Sequence, residues 1–291
     1  MNSLELNNHG ERLVPGYSHY LEEVIRHKSS YEFYKKIIEN DVCQLKTPIN
    51  ILEIGCGTGH GTNMLSKIEN CTIFAIDIDE DAIEFARKNF SAQNVSFEAK
   101  TLDQIPHDKK FDYIISRHSF EHIEGIFSDV LKLRPNCRIM ANVPYKEKPG
   151  NEFHFYLNID EEMFSLWPNA QFFYEDLKGQ TFNSPEYPSI NSIVCISTFN
   201  TALSDVAEFM SFPFAPWKPN YAETLAYEEL PATYRQLSTL RAECTTIQAE
   251  LATTQAELAI TQAALADAQR VLNKPIIRTQ RKLWRLIKFW K

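Results

Sequence analysis

Short apolar runs alternate with amphipathic stretches over residues 1–200, and this alternation predicts strands separated by helices. We predict seven strands: Ile49–Ile54, Thr72–Asp77, Val95–Ala99, Phe111–Ser116, Arg138–Val143, Gln171–Tyr174 and Ile190–Ser197. Helical patterns separate the first five strands, which indicates a mostly parallel sheet with both faces covered. Because no helix separates the last two strands, we expect them to pair as an antiparallel hairpin at the sheet edge. The pattern therefore predicts an α/β domain over residues 1–200, with a helical leader over residues 1–45.

The pattern changes after residue 200, where prolines and aromatic residues replace the alternation. Four prolines are spread along the next thirty residues: Pro213, Pro216, Pro219 and Pro231. Because prolines end regular structure, we predict that residues 201–231 form a linker. The aromatic residues Phe212, Phe214 and Trp217 indicate that this linker packs on the preceding domain.

Residues 232–273 repeat with a period of seven residues. One seam position of this heptad carries Leu237, Cys244, Leu251, Leu258, Leu265 and Leu272, and the other carries Leu240, Ile247, Thr254, Thr261 and Ala268. A seam sustained over about five heptads predicts a coiled coil, which would join copies of this chain into a homo-oligomer. The alternative is a single amphipathic helix that packs on the domain.

The last segment, residues 274–291, predicts a helix with two chemically different faces. One face holds Ile276, Ile277, Leu283, Trp284, Leu286, Ile287 and Trp290, and the opposite face holds Lys274, Arg278, Arg281, Lys282, Arg285 and Lys288. A basic helix of this kind lies in the headgroup plane of an anionic membrane. We therefore predict peripheral attachment to the inner face of the cell membrane; a nucleic-acid arm and a partner-binding helix are the alternatives.

The net charge of −8 conceals an asymmetry between this tail and the rest of the chain. Residues 274–291 carry seven Lys or Arg and no acid, so the preceding residues carry 23 basic and 38 acidic side chains, a net charge of −15. The acidic body should repel nucleic acid. The polar N-terminus and the lack of an 18-residue apolar run predict a cytoplasmic protein. The six cysteines contain no C-x-x-C pair, which argues against structural zinc or a disulfide scaffold.

A glycine-rich loop follows the first predicted strand and carries the strongest chemical signal. The segment 51–61 reads ILEIGCGTGHG, and its glycines allow the backbone to turn tightly and to approach a ligand. The dinucleotide fingerprint G-x-G-x-x-G is not met. The spacing E-x-G-x-G-x-G instead resembles motif I of the class I S-adenosylmethionine-dependent methyltransferases, which implies a Rossmann-like sheet and S-adenosylmethionine (SAM) as the cofactor.

Three later motifs strengthen this resemblance. An apolar strand ends at Asp77, whose carboxylate would bind the ribose hydroxyls, with Ile78 packing on the adenine. Relatives often carry an acid where this chain has Thr101, so Asp103 or a backbone group would have to contact the adenine amino group. The fourth strand runs into Glu121-His122, a pair common in these enzymes. The resemblance implies a set of cofactor-binding residues: Glu53, Gly55, Cys56, Gly57, Gly59, Asp77, Ile78, Leu102, Asp103 and Ser116.

The flanking residues narrow the resemblance to methyltransferases of bacterial surface-polysaccharide (O-antigen) gene clusters. The leader segment 10–15 reads GERLVP, and Val143-Pro144 is followed by Asn151-Glu-Phe-His154. The layout of methyltransferase, coiled coil and basic helix is similar to O-antigen chain-terminating enzymes. This similarity implies a glycan or lipid-linked glycan as substrate, and the coiled coil could also hold a glycosyltransferase partner.

Methyl transfer to a hydroxyl group requires removal of a proton, and histidine suits this role at neutral pH. The candidate bases are His154, His122 and His118, each following a predicted strand, and the candidate substrate-binding residues are Arg12, Arg117 and Asn151. The sequence shows no compact Asp, Glu and His ligand set, so we expect no metal. We predict an O-methyltransferase that acts on a surface glycan, and the resemblance to chain-terminating enzymes implies that it caps chain ends. The alternatives are a methyltransferase for a small lipid or quinone-like acceptor, and a non-catalytic scaffold.

Overall fold

A computed structural model describes residues 13, 21–106, 108–272 and 275–289. Within the C-terminal helices, side chains are described at Glu223, at Leu240, over 243–272 and over 279–289. The chain divides into two compact units, Met1–Pro231 and Ala232–Lys291.

The described part of the first unit is built on one mixed sheet of eight strands, one more than the sequence predicts. The strands are β1 Ile49–Ile54, β2 Cys71–Asp77, β3 Val95–Ala99, β4 Tyr113–Arg117, β5 Arg138–Pro144, β6 Ala170–Asp176, β7 Thr181–Phe182 and β8 Ile190–Thr198. Their order across the sheet is β3-β2-β1-β4-β5-β8-β6-β7. The extra strand β7 is two residues long, too short to produce an alternating pattern, and it pairs with β6.

The first five strands run parallel, and the last three add antiparallel pairs at one edge. β8 pairs antiparallel with both β5 and β6, so the predicted pairing of the last two long strands is confirmed. β1 lies between β2 and β4, where the chain order of the sheet reverses. The carboxyl ends of these strands therefore meet at one edge, which is where open α/β sheets bind ligands.

Helices cover both faces of this sheet. They are α1 Leu21–Leu45, α2 His60–Leu65, α3 Glu80–Phe90, α4 Ile126–Asp129 and α5 Val206–Phe209. Two further helices follow along the chain, α6 Tyr221–Leu272 and α7 Pro275–Phe289. α1 is the observed part of the predicted leader, and it buries Tyr31, Phe33 and Tyr34 in the core. α3 begins directly after β2, where the Asp79 carboxylate accepts a hydrogen bond from the Ala82 backbone amide.

The predicted linker packs on the domain through its aromatic residues. Phe212 stacks on Phe173 of β6 with ring centroids 5.2 Å apart, and Phe214 lies 5.2 Å from Phe33 of α1. The prediction that prolines exclude regular structure up to residue 231 was wrong, because α6 begins at Tyr221 and contains Pro231. A proline removes one backbone hydrogen bond from a helix, and a long helix continues on both sides of that gap.

The second unit consists of helical residues whose described side chains are exposed. In α6 the seam residues Leu251, Leu258 and Leu265 are 55–60% exposed, so a single chain leaves this apolar seam uncovered. The coiled coil stays a prediction. In α7, Trp284 and Leu286 are 70% and 66% exposed. Among the described residues, no helix combines the length and apolar content needed to cross a bilayer.

A buried ion pair joins α1 to the sheet. Arg138 of β5 and Asp41 of α1 are both fully buried, and two guanidinium nitrogens donate to the two Asp41 oxygens at 2.7 and 3.1 Å. The same guanidinium donates to Thr198 Oγ1 at 2.6 Å and to the Ser204 carbonyl at 2.7 Å. Because every polar atom of a buried pair must be satisfied, this cluster fixes α1, β5 and β8 relative to one another.

Substitution of Asp41 should therefore destabilise the domain strongly. We expect Asp41→Ala to lower the free energy of unfolding by about 3–5 kcal/mol, because it leaves the Arg138 charge buried without its partner. Urea denaturation measures the change. The matched control is Glu39→Ala on the same helix, whose partly exposed pair with Lys35 at 3.7 Å should contribute at most about 0.5 kcal/mol. Equal losses in the two variants would contradict the assignment.

Candidate functional site

A pocket of about 410 Å³ opens at the carboxyl ends of β1, β2 and β4. Residues 55–58 of the glycine loop that follows β1 line one side, and the residues at the ends of β2 and β3 form one wall. The other wall combines α1 with the residues after β4. The topology thus places the predicted loop motifs around one pocket.

The glycine loop is held in place by backbone hydrogen bonds and by one carboxylate. The amides of Gly55 and Cys56 donate to the Ile76 carbonyl at 2.8 and 3.0 Å, and the Gly57 amide donates to Asp77 Oδ2 at 2.8 Å. Gly57 has φ +52°, and a Cβ there would meet no other atom within 4 Å. The loop therefore presents bare backbone at the pocket. Cys56 also lines the pocket, and burial raises the pKa of its thiol well above the ordinary value.

Glu53 lies beneath the loop and is fully buried. Its two carboxylate oxygens accept hydrogen bonds from the Tyr31 and Thr62 hydroxyl groups, each at 2.6 Å. Burial raises the pKa of this carboxyl group to about 7, against the lowering effect of the two hydrogen bonds. Glu53 thus joins α1 and α2 to β1 and supports the loop, and it does not line the pocket.

The wall after β2 and β3 is largely apolar. Ile78 is 73% exposed and lines the pocket together with Ile76, Thr101 and Leu102. Asp103 is exposed and is not among the lining residues, so the structure places Thr101 and Leu102, and not Asp103, where the adenine contact is expected. A flat apolar surface beside a carboxylate suits an aromatic base attached to a sugar.

The wall after β4 carries Arg117, His118, Ser119 and His122. His118 has φ +48°, and its Nε2 lies 3.1 Å from Ser192 Oγ. Burial lowers the pKa of this imidazole well below its ordinary value. A non-glycine residue in the left-handed region is strained, and such residues cluster at functional sites.

Arg117 lines the pocket with its charge already balanced. Its Nε donates to Ser30 Oγ at 3.0 Å, and its Nη2 lies 3.9 Å from Glu175 Oε1. Glu175 is buried, and burial raises the pKa of its carboxyl group. The guanidinium therefore lines the pocket and also connects Ser30 of α1 with Glu175 of β6.

The remaining predicted residues lie close to this pocket without lining it. His154 contacts His122, with ring centroids 4.7 Å apart, and Asn151 Nδ2 lies 3.2 Å from His154 Nε2. The Gly59 carbonyl accepts a hydrogen bond from the Asn63 amide at the start of α2. The Ser116 hydroxyl of β4 is hydrogen-bonded to the Ser119 hydroxyl at 2.6 Å. Arg12 lies outside the described residues.

The expectation that the chain has no compact ligand set was wrong. Glu121, His122 and His154 each offer a ligand atom, and these atoms lie within 4.8 Å of one another. The histidines come from different loops, which only the folded sheet brings together.

Sequence reasoning missed several lining residues, among them His27, Tyr31 and His60. Burial lowers the pKa of His27, and it lowers that of His60 to about 4. His27 and Tyr31 lie in α1, which precedes the strands whose motifs marked the site. Phe153, 61% exposed, also lines the pocket and follows β5 in sequence.

Comparison with known proteins supports the class suggested by this site. Residues 51–132 match the family model described as a methyltransferase domain. Malonyl-[acyl-carrier protein] O-methyltransferase from Acetivibrio thermocellus is 30% identical over 156 residues, which cover 47% of this chain and 55% of that protein. The protein of the same name from Priestia megaterium is 26% identical over 174 residues, covering 55% of this chain and 61% of that protein. This chain thus spans little more than half the length of these curated relatives.

Among solved structures, the plantazolicin methyltransferase BpumL in complex with SAH aligns over 60% of this chain and 85% of that one, with 17% identity and a TM-score of 0.46. Residues 51–132 are thus similar to methyltransferase domains, and the relatives named above are O-methyltransferases. The cofactor expected of that class is SAM.

The pocket fits this cofactor. The bare backbone at Gly57 leaves space beside the Asp77 carboxylate, and the exposed Ile78 with Leu102 offers an apolar surface for the adenine. Asp77 would bind the ribose hydroxyls, and the loop would hold the methionine end.

The raised pKa of Glu53 predicts how stability changes with pH. The folded chain keeps a proton on Glu53 up to about pH 7, whereas the unfolded chain loses it near its ordinary value of 4.5. This contribution to stability is therefore fully present below pH 4.5 and is lost as the pH rises through 7. We expect the wild-type free energy of unfolding to fall by roughly 3 kcal/mol more than that of Glu53→Gln across this range. Urea denaturation at several pH values measures the difference.

The control for this experiment is Glu69→Gln, because Glu69 is exposed. Its stability should follow the wild-type pH dependence. A constant difference between wild type and Glu53→Gln at all pH values would show that Glu53 does not titrate in this way.

Proposed function

We propose that this chain is a SAM-dependent O-methyltransferase that acts on a glycan hydroxyl at an anionic membrane surface. The observation that carries this proposal is one pocket that is lined by two kinds of candidate residue. Asp77 and the glycine loop line the part that we assign to the cofactor. His118 and His122 line the part that we assign to the acceptor, which we name the acceptor end.

Bound SAM supplies an activated methyl group on a sulfonium, which transfers by in-line displacement. The chain's own contribution is alignment, which is worth about 7–11 kcal/mol in favourable models. The hydrogen bond from the Gly57 amide to Asp77 sets the loop before the cofactor arrives. The lining side chains Ile54, Ile76 and Ile123 exclude water from the apolar part of the pocket.

The imidazoles at the acceptor end suit an acceptor that must lose a proton. His118 and His122 line the pocket, whereas His154 lies against His122. We propose that His118, whose Nε2 lies beside Ser192 Oγ, receives the proton of the acceptor hydroxyl. His154 packs against His122 and in this proposal helps to hold that ring in position.

The charges around the pocket favour a neutral acceptor. Among the described residues, the Arg and Lys side chains that line the pocket are Arg117 and Lys100, and each faces a carboxylate of the protein. Lys100 Nζ lies 2.6 Å from Glu98 Oε2. Because these charges are already balanced, a hydroxyl group suits the site better than a carboxylate. The names of the relatives also specify transfer to oxygen.

Two exposed aromatic rings beside the acceptor end support a glycan. Phe153 and Phe155 are 61% and 54% exposed, and Phe153 lines the pocket. The apolar faces of sugar rings pack on such surfaces. The resemblance to polysaccharide-cluster enzymes points to the same substrate class, with capping of chain ends as the proposed outcome.

The helix α7 supports a membrane location for this reaction. Its described apolar residues Leu283, Trp284, Leu286 and Ile287 are 56–70% exposed. The basic residues Arg281, Lys282, Arg285 and Lys288 lie on the same helix. We propose that α7 binds anionic lipids and that α6 joins copies of the chain, so that several tails bind together and avidity strengthens the attachment. A glycosyltransferase bound through α6 is part of the same proposal.

A methylation assay with a variant at Asp77 tests the proposed activity. We expect the full-length protein to transfer label from methyl-labelled SAM to the hydroxyl groups of a lipid-linked glycan. Asp77→Asn should weaken SAM binding by about 10- to 100-fold in calorimetry, because a charged hydrogen bond contributes about 1.5–3 kcal/mol. Asp81→Asn, an exposed carboxylate on α3, is the matched control.

The outcome separates the proposals. If malonyl-[acyl-carrier protein] is labelled and the glycan is not, the acceptor is a carboxylate and the glycan proposal is wrong. A wild-type chain without saturable SAM binding would favour the scaffold, and equal affinity in Asp77→Asn and wild type would remove the ribose assignment.

Vesicle binding tests the tail. At about 1 kcal/mol per basic residue, replacing Arg281 and Arg285 with Gln should weaken binding to anionic vesicles roughly thirtyfold. The charge-matched control replaces Lys67 and Lys88, which are exposed in the domain, with Gln. Sedimentation with vesicles of anionic and of zwitterionic lipid measures the effect. Equal losses in the two double variants would exclude α7 as the anchor.

A further inference from the structure

The Glu121, His122 and His154 cluster lies immediately beside the acceptor end of the pocket. Glu121 and His122 belong to the short 3-10 turn Phe120–His122 that follows β4, and His154 lies in the loop after β5. One ligand atom from each residue lies within 4.8 Å of the other two. Glu121 is fully buried, whereas His122 is exposed and lines the pocket.

Hydrogen bonds fasten the two segments together on both sides of this cluster. The Tyr156 amide donates to the Glu121 carbonyl at 2.9 Å, and the Gly125 amide donates to the Tyr156 hydroxyl at 2.8 Å. The loop after β5 is therefore held against the turn after β4. This attachment keeps the three candidate ligands at a fixed separation.

The two histidines are oriented in the way that metal-binding histidines are. His122 Nδ1 donates to the Phe153 carbonyl at 2.9 Å, because a carbonyl only accepts. His154 Nδ1 pairs with Glu147 Oε2 at 2.5 Å, and its Nε2 faces Asn151 Nδ2, which donates at 3.2 Å. In both rings the Nδ1 partner leaves the lone pair on Nε2, which in His154 accepts the hydrogen bond from Asn151. Such carbonyl and carboxylate partners fix the tautomer and raise the basicity of a ligating imidazole.

We infer that Glu121, His122 and His154 form a binding site for one divalent first-row metal ion. Bonds from such ions to imidazole nitrogen and carboxylate oxygen are about 2.0–2.2 Å long. Ligand atoms on opposite sides of one ion are therefore about 4 Å apart, so a small side-chain movement closes the set. The Asn151 amide, which now donates to His154 Nε2, would turn away as the ion takes that lone pair.

The ligand chemistry selects the class of ion. Two imidazoles and one carboxylate suit Zn²⁺, Mn²⁺ and Fe²⁺, whereas Mg²⁺ and Ca²⁺ prefer all-oxygen sites. Three protein ligands leave positions open, as in catalytic rather than structural sites. His122 brings these open positions to the pocket.

The role of the ion rests on the proposed function, although its binding does not. An ion beside the acceptor end would hold the acceptor oxygen and lower the pKa of its hydroxyl group, as metal ions do for bound water. In this proposal His154 is a metal ligand and not the base that the sequence analysis considered.

Direct titration of the full-length, metal-stripped protein with MnCl₂ tests the site. The sharp electron paramagnetic resonance signal of free Mn²⁺ disappears on binding, and we expect one Mn²⁺ to bind per chain and to be displaced by Zn²⁺. His122→Gln and Glu121→Gln should each weaken binding by about tenfold or more, and Glu147→Gln should weaken it by about 10- to 100-fold. Because His122 is exposed, its variant should fold, which circular dichroism verifies.

Glu124→Gln is the matched control, because Glu124 is an exposed carboxylate in the next turn. It should bind Mn²⁺ as the wild type does. Absence of both Mn²⁺ and Zn²⁺ binding, or equal affinity in His122→Gln and the control, would overturn the inference. Calorimetry with SAM on the same samples separates the two proposals, since SAM binding without metal binding removes only the metal site. Metal binding without SAM binding removes the proposed function and leaves the site.

Discussion

The arrangement of the site depends on one carboxylate at the end of one strand. Asp77 ends β2, and its Oδ2 accepts a hydrogen bond from the Gly57 amide while its Oδ1 accepts from the Asp79 amide at 3.0 Å. The first bond sets the loop after β1, and the second sets the turn that leads into α3. One side chain thereby orients two of the segments that form the pocket. Because a parallel sheet brings the ends of β1 and β2 to one edge, this is possible without any distortion of the strands.

A layer of buried polar contacts connects this edge to α1. Glu53 accepts hydrogen bonds from α1 and α2 beneath the loop, and Arg138 pairs with Asp41 farther along the same helix. Tyr34 of α1 adds a hydrogen bond to the Ser116 carbonyl at 3.1 Å. Each of these groups would be costly to bury alone. The position of α1 is therefore specified by polar partners as well as by apolar packing, and α1 in turn supplies a wall of the pocket.

The long strands were predictable because their apolar runs are bounded by polar and turn residues. Ile49–Ile54 and Val95–Ala99 were predicted with the bounds that the structure shows. Two features followed from longer-range effects and escaped the pattern. The strand β7 pairs with β6 on one side, and its Thr181 pairs with Phe214 on the other; its two residues carry no period. The helix α6 passes through Pro231 because the residues on both sides favour helix strongly enough to tolerate one missing hydrogen bond.

The same distinction separates the two ends of the site. The residues assigned to the cofactor lie in short continuous motifs, because the glycine loop follows β1 directly and Asp77 ends β2. The pairing of these parallel strands is sufficient to bring the two motifs together. The acceptor end depends on how an irregular loop folds back. His122 and Phe153 are 31 residues apart in sequence, and their hydrogen bond forms only when the loop after β5 reaches the turn after β4. No sequence spacing relates residues that are brought together in this way. The group of Glu121, His122 and His154 could therefore be recognised only from the structure. The proposed metal site and the proposed acceptor site consequently depend on loop packing, to which the hydrogen bonds of Tyr156 with Glu121 and Gly125 contribute.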